Sequence, residues 1–266
     1  MARITIFAKG NSDVRDALHV LEEGGAVVWN GINTILRERF PGVTARVAHE
    51  TMTRSDALLA ETGAIPAALA DHPLDLGPHP LPSQFATRLF APGPDIVVLS
   101  IQPDVMNQMA RSRADGHWLH PYGVDGWSAQ DRSWLGAHYA PAPPLEPEHS
   151  MANLAAIIAR LREPSDPRIL IFNMSPIVPW ERVHDFRHVG ETLGTRVRRF
   201  NLALVDLSRA TGISIVDVDA IVARAGADRL KLDAVTLSAE GCRLVAQEVV
   251  RILDDLGCLT SPETTA

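Results

Sequence analysis

The chain is poor in cysteine, in aromatic residues and in long apolar runs, and it carries no excess of positive charge. Its two cysteines, Cys242 and Cys258, lie near the end of the 266-residue sequence. One helix carrying both would hold them about 24 Å apart, beyond the roughly 7 Å between Cα atoms that a disulfide tolerates. Two free thiols and a reducing, cytoplasmic setting are therefore expected. No segment reaches the roughly 18 consecutive apolar residues of a membrane span, and no basic stretch followed by a long apolar run opens the chain, so neither a span nor a signal peptide is expected. With 25 basic and 32 acidic residues the formal net charge is −7, which argues against nucleic acid or an anionic membrane as the partner. A phosphate loop is absent, and Gly10 lacks the further glycines of a dinucleotide fingerprint, so no cofactor is expected. The histidines between 117 and 149 lack the i, i+4 spacing of a helical zinc site, so no metal is expected either.

What is present is an ordinary globular composition, 46% hydrophobic and 21% charged, in a chain long enough to bury a sizeable core. Short β-branched runs at residues 3–8, 43–48, 95–101, 168–172 and 213–216 read as buried strands. The run at 95–101 is apolar on both alternating faces, as a central parallel strand covered by helices should be. Between the runs lie helical spacings: residues 27–40, stopped by Pro41-Gly42, residues 55–69, and a stripe from Met151 to Leu161. A long stripe from Leu193 to Leu207 ends at Gly212, and a last helix follows the N-cap candidate Ser238. Arg196, Arg198 and Arg199 read as a solvated face of the long helix. The alternation predicts one doubly wound α/β domain, three layers around a five-stranded parallel sheet. Residues 111–149 stand apart. They hold Trp118, Trp127, Trp134, Tyr122, Tyr139 and four histidines before a proline-rich run, and read as an insertion forming a lid or a substrate-side wall.

In such sheets ligands collect beyond the carboxyl ends of the strands. The first strand ends there at Gly10-Asn11-Ser12, a glycine that permits a sharp turn followed by a hydroxyl. The block Gly10-Asn11-Ser12 resembles the Gly-Asp-Ser opening of the SGNH/GDSL hydrolases. The stretch Leu232-Asp233-Ala234-Val235-Thr236 resembles their closing Asp-x-x-His. The resemblance implies a flavodoxin-like strand order 2-1-3-4-5 over residues 1–258, with 111–149 inserted and 259–266 a disordered tail. It also implies ester or acyl-group hydrolysis of a small molecule through a serine nucleophile, with Ser12 and Asp233 as catalytic residues.

The departures are specific. Thr236 stands where the family carries its histidine base, and a hydroxyl cannot take a proton near neutral pH as imidazole can. A substitute is expected from His49, after the second strand, or from His184, after the fourth. Around Asp104 the family's oxyanion asparagine is missing, so Asn11, Thr51 and Gln102 are the candidate oxyanion or substrate-binding residues. The alternative is a catalytically silent protein of this fold that binds a small ligand or a protein partner.

Overall fold

In the computed structural model, which describes residues 2–179 and 190–259, the apolar runs become strands. In chain order these are β1 (Ala2–Lys9), β2 (Val43–Glu50), β3 (Ile96–Ser100), β4 (Ala110–Ser112), β5 (Trp118–Leu119), β6 (Tyr139–Pro141), β7 (Arg168–Phe172) and β8 (Ser214–Val216). The main sheet is parallel with the order β2-β1-β3-β7-β8, which is the order 2-1-3-4-5 of the five predicted strands. β3 sits at its centre and every residue of it is buried, so each side chain is removed from water by a helical layer on one face or the other.

Alternation along β1 divides the core. Ile4, Ile6 and Ala8 point to the layer of α1 (Ser12–His19), α2 (Ile32–Arg39) and the closing helix Ala239–Asp255. Phe7, Val97 and Leu99 point to the layer holding the helices Pro147–Arg162 and Leu193–Thr211. The caps read from sequence are present. Ser238 Oγ accepts from the Gly241 N–H at 3.1 Å, and Gly212 ends its helix in the left-handed region, φ +72°.

Several boundaries differ from expectation, each for a local reason. Residues 12–19, which lack clear periodicity, form α1. The helix expected over 27–40 begins only at Ile32, because Asn30 takes a left-handed backbone, φ +56°. The helix expected over 55–69 is α3 (Ser55–Ala60) and a separate turn Ala67–Ala70 after Pro66. The closing helix ends at Asp255, so Cys258 lies beyond it, and both thiols are free. The insertion builds its own antiparallel sheet, β5-β4-β6, over a small core of Leu119, Trp127 and Tyr139 against Leu69, Leu76 and Phe85. Arg196 is buried, not solvated: its guanidinium donates to the carbonyls of Val105 (3.0 Å) and Leu145 (2.6 Å). No helix among the described residues is long and apolar enough to cross a membrane.

Candidate active site

β1 runs straight into the site. Lys9 ends the strand, the Gly10 N–H donates to the Glu50 carbonyl at 3.1 Å, and α1 begins at Ser12. Gly10 cannot be replaced freely, since a Cβ there would lie 2.6 Å from Val14 Cγ2. Ser12 therefore occupies the first turn of a helix, where backbone N–H groups have no intrahelical acceptor and the dipole favours negative charge. Asn11 is the N-cap by position, but its side chain makes no capping bond and its Oδ1 is buried without a partner.

Asp13 follows Ser12 and is buried. The Ser100 hydroxyl at the end of β3 donates to Asp13 Oδ2, and the Gln102 N–H donates to the same hydroxyl at 2.9 Å. Burial raises the Asp13 carboxyl above its ordinary range, against the Ser100 bond, which lowers it. Its Oδ1 has no hydrogen bond that meets ordinary geometry. The sequence reading does not single out Asp13; the one available signal is an acidic residue directly after the turn serine.

His49 is carried to this turn by β2, opposite Ala8 in the register. Its Nε2 lies 2.9 Å from the Gly10 carbonyl oxygen. A carbonyl only accepts, so Nε2 carries the hydrogen and Nδ1 keeps the lone pair. Burial holds this imidazole below its ordinary pKa; the Gly10 carbonyl works in the opposite sense, and Arg15 and Lys9 add to the lowering. His19, at the end of α1, is 2% exposed and its ring centre is 6.4 Å from that of His49. His19 Nδ1 accepts from the Asn30 N–H at 2.9 Å, so the neutral ring holds its hydrogen on Nε2, which is buried without a partner. Burial, with His49 and Arg15 nearby, brings the His19 pKa down to about 4.

The other candidates are placed as follows. The Thr51 hydroxyl is 2.9 Å from Ser83 Oγ, and the Ser83 carbonyl accepts from Lys9 Nζ at 2.9 Å. Lys9 Nζ also bonds Glu50 at 3.1 Å, which ties the ends of β1 and β2 to that loop. Gln102 is buried, and its Nε2 reaches the Val235 carbonyl at 3.4 Å. Asp233 is held within its own turn: its carboxylate accepts from the N–H of Val235 (2.8 Å), the N–H of Thr236 (2.7 Å) and the Thr236 hydroxyl (2.9 Å). Partial burial pushes this carboxyl up, but the three bonds together hold it below its ordinary range. His184 lies outside the described residues. In the insertion, His117 bonds Asp115 at 2.5 Å and Tyr139 at 2.6 Å, and His120 bonds the Gln108 carbonyl at 2.8 Å.

The opening and closing turns meet. Asp13, Gln102, Ser175, Lys231 and Val235 share a cavity of about 20 Å³, so the neighbours of Ser12 and of Asp233 face one crevice at the carboxyl edge. The Ser12 and Asp233 side chains themselves do not line it, and the hydrogen bonds of His49 and His19 go to backbone groups, not to the serine.

No family model matches the sequence, and no curated protein matches it. Solved structures do. An alpha/beta hydrolase enzyme, LAE5, from the metagenome of Lake Arreo, Spain, is 16% identical with a TM-score of 0.51, over 98% of this chain and 99% of that one. A lipase/acylhydrolase from Enterococcus faecalis is 12% identical with a TM-score of 0.50, over 96% and 97%. An acetylxylan esterase, Axe2, from Geobacillus stearothermophilus is 13% identical with a TM-score of 0.51, over 93% of each chain. With the strand order 2-1-3-4-5 these matches decide the architecture. The chain has the fold of these hydrolases. Within this fold the serine turn follows the first strand and the Asp233 turn precedes the last helix, so both motifs that suggested the resemblance stand on one sheet edge.

Proposed function

We propose that the chain is an ester hydrolase acting on a small-molecule ester, with Ser12 as nucleophile and His49 as its base. The observation that carries this reading is the 2.9 Å contact of His49 Nε2 with the Gly10 carbonyl, which ties a neutral imidazole to the turn that holds the serine. Ser12 Oγ attacks the ester carbonyl carbon while its proton passes to His49 Nδ1. The resulting imidazolium donates from Nε2 to Gly10, so the carbonyl performs the orienting work that a carboxylate does in a Ser-His-Asp triad. The oxyanion lies against the Ser12 N–H in the first turn of α1, with donors from the Thr51 region and Gln102. One such donor is worth about 3–4 kcal/mol in other enzymes. The ester C–O bond breaks, the alcohol leaves with the proton from His49, and water hydrolyses the acyl-serine by the same route. Asp233 secures the closing turn, and the insertion walls the substrate side, where a cleft of about 600 Å³ is lined by His120, Tyr122, Arg132 and Tyr139. The free cysteines fit a cytoplasmic setting.

A second reading is favoured by one observation: Thr236, in the place of the family's base, spends its hydroxyl on Asp233. On that reading the site binds without turning over. A serine-directed fluorophosphonate separates the two. Labelling that is lost in Ser12→Ala is expected of the hydrolase, whereas folded protein that takes no label is the silent binder.

A further inference from the structure

Where the insertion rejoins the main domain there is a cavity of about 460 Å³, a volume within the range of small-molecule sites. Ser12, His49 and Asp233 do not line it. One wall is the chain that follows the short helix Gln102–Met106; the other is the chain that leaves β6. That second chain, Pro141-Ala142-Pro143-Pro144, is short of N–H groups, because three of its four residues are proline. Arginines meet its carbonyls from the side. Arg54 Nη1 donates to the Pro143 carbonyl at 3.0 Å, and Arg196 Nη2 donates to the Leu145 carbonyl at 2.6 Å. Both arginines line the cavity.

Charge at this cavity is of one sign. Arg54 is 2% exposed and Arg196 1%, and among the described residues no carboxylate joins them in the lining. In a chain of net charge −7 that is a local reversal. The carboxylates that partner them lie outside the lining: Asp56 takes the Nε–Nη2 edge of Arg54 at 2.9 and 2.5 Å, and Glu191 is 3.7 Å from Arg196 Nη1. A guanidinium carries five N–H groups. Arg54 spends three of them on Asp56 and Pro143, which leaves two for a further acceptor among the described residues. Its Cζ also lies over the Trp118 ring, 5.3 Å from the centroid, so the plane of the fork is fixed as well as its edge. Buried donors left over in this way are costly and persist where a ligand or water completes them.

The other walls are apolar. Val105, Met106, Met109 and Pro144 line the cavity, with the amides of Asn107 and Gln108 between them. Methionine is a deformable wall that fits hydrocarbon of varied shape. A planar carboxylate matches a guanidinium fork through two parallel bonds, and a hydrocarbon body matches the thioether and proline surfaces. An inorganic anion would use the fork and leave those surfaces against water. Met106, Met109 and Pro141 also line the neighbouring cleft of about 600 Å³, so an occupant of the cavity would lie against the wall of that cleft.

We infer that this cavity binds a small organic monocarboxylate, with the carboxylate on the Arg54 fork beside Arg196 and the apolar body against Met106 and Met109. The assignment does not depend on turnover at Ser12 and is tested by binding alone. Hexanoate and phenylbutyrate are titrated into the intact chain by calorimetry at neutral pH, beside hexanol, phenylbutanol and inorganic phosphate. The expected result is saturable binding of at least one acid, about ten-fold or more tighter than its own alcohol, the scale of a hydrogen bond to a charged group. Phosphate should bind more weakly than that acid. Arg54→Lys keeps the charge and loses the fork, and should weaken the acid about ten-fold while leaving the alcohol unchanged. Arg54 also holds Asp56 and Pro143, so a second variant leaves both arginines in place: Ala142→Phe puts a ring into the cavity that Ala142 lines, and should abolish acid binding in a chain that still unfolds cooperatively. Absence of acid binding at millimolar concentration, equal binding of acid and alcohol, or phosphate bound more tightly than either acid overturns the assignment. Acid binding that persists unchanged in folded Ala142→Phe overturns it as well, since the anion would then sit elsewhere.

Discussion

The opening turn and the closing turn lie on the same sheet edge and differ in how their polar groups are satisfied. Around Ser12, Asn11 Oδ1 and the nearby His19 Nε2 are buried without partners. Around Asp233, the carboxylate accepts three bonds from Val235 and Thr236 of its own turn. Buried polar atoms left unpaired are costly and persist where a ligand, water or chemistry completes them, whereas a carboxylate fully used by its own loop is a structural tie. The contrast supports the proposal that puts reactivity at the opening turn and shape at the closing one.

The sharpest way to break that contrast is at the nucleophile. Ser12→Ala should lower kcat by about four to six orders of magnitude and abolish fluorophosphonate labelling; retained turnover would remove the opening turn from the chemistry. Next, His49→Ala should cost about two to four orders in kcat/KM, the range of general base catalysis, while Asp233→Ala costs less than about ten-fold. Equal losses at the two positions would erase the difference between the turns.

The pH profile sharpens the same point. A base must be neutral to act, and burial holds His49 below its ordinary value of 6.5. The acid limb of kcat/KM should therefore fall below pH 6.5, with activity level from there to pH 8, and it should vanish from the residual rate of His49→Ala. An acid limb above pH 6.5 would point to a different base.

Two smaller effects concern stability. Asp104, after β3, accepts from the Ser55 N–H (2.7 Å) and the Ser150 hydroxyl (2.5 Å), and burial raises its pKa to about 6, against those bonds. An acid whose folded pKa is raised contributes stability below its unfolded pKa and loses it as pH rises through the folded one. Asp104 should thus remove up to about 3 kcal/mol between pH 4 and pH 6. In Asp104→Asn that component of the urea-unfolding free energy should disappear. His19 titrates in the opposite sense over the same range, being lowered to about 4, so the comparison is made as a difference between variant and wild type. The smallest change is Thr236→Val, which removes one bond to Asp233 and should cost about 1 kcal/mol with kcat within about three-fold; a large kcat loss there would return the closing turn to the chemistry.

Much of the fold was legible because its signals are local. β3 reads as a central strand from its own residues, and the Ser238 cap and Gly212 stop are properties of a few neighbours. The site was legible as a turn and less so as an arrangement. Nothing in the neighbours of His49 says that its ring will meet Gly10, 39 residues away in sequence. Nothing near Arg196 says that a helix arginine will be buried among the carbonyls of Val105 and Leu145. The strands of the insertion, two or three residues each, are too short to show a period.

The sequence by itself determined the succession of strands and helices, the order of the sheet through its resemblance, and a serine at the tip of the leading strand. Those properties follow from spacing and chain direction, which neighbouring residues set. Only the tertiary structure decided which polar groups would be spent and which left open: that Asp233 is consumed by its own turn, that a histidine is tied to the serine turn through a carbonyl, and that Arg54 and Arg196 line one cavity. Hydrogen-bond partners such as Asp104 and the Ser55 N–H lie 49 residues apart, and no local pattern records a distance closed only by folding.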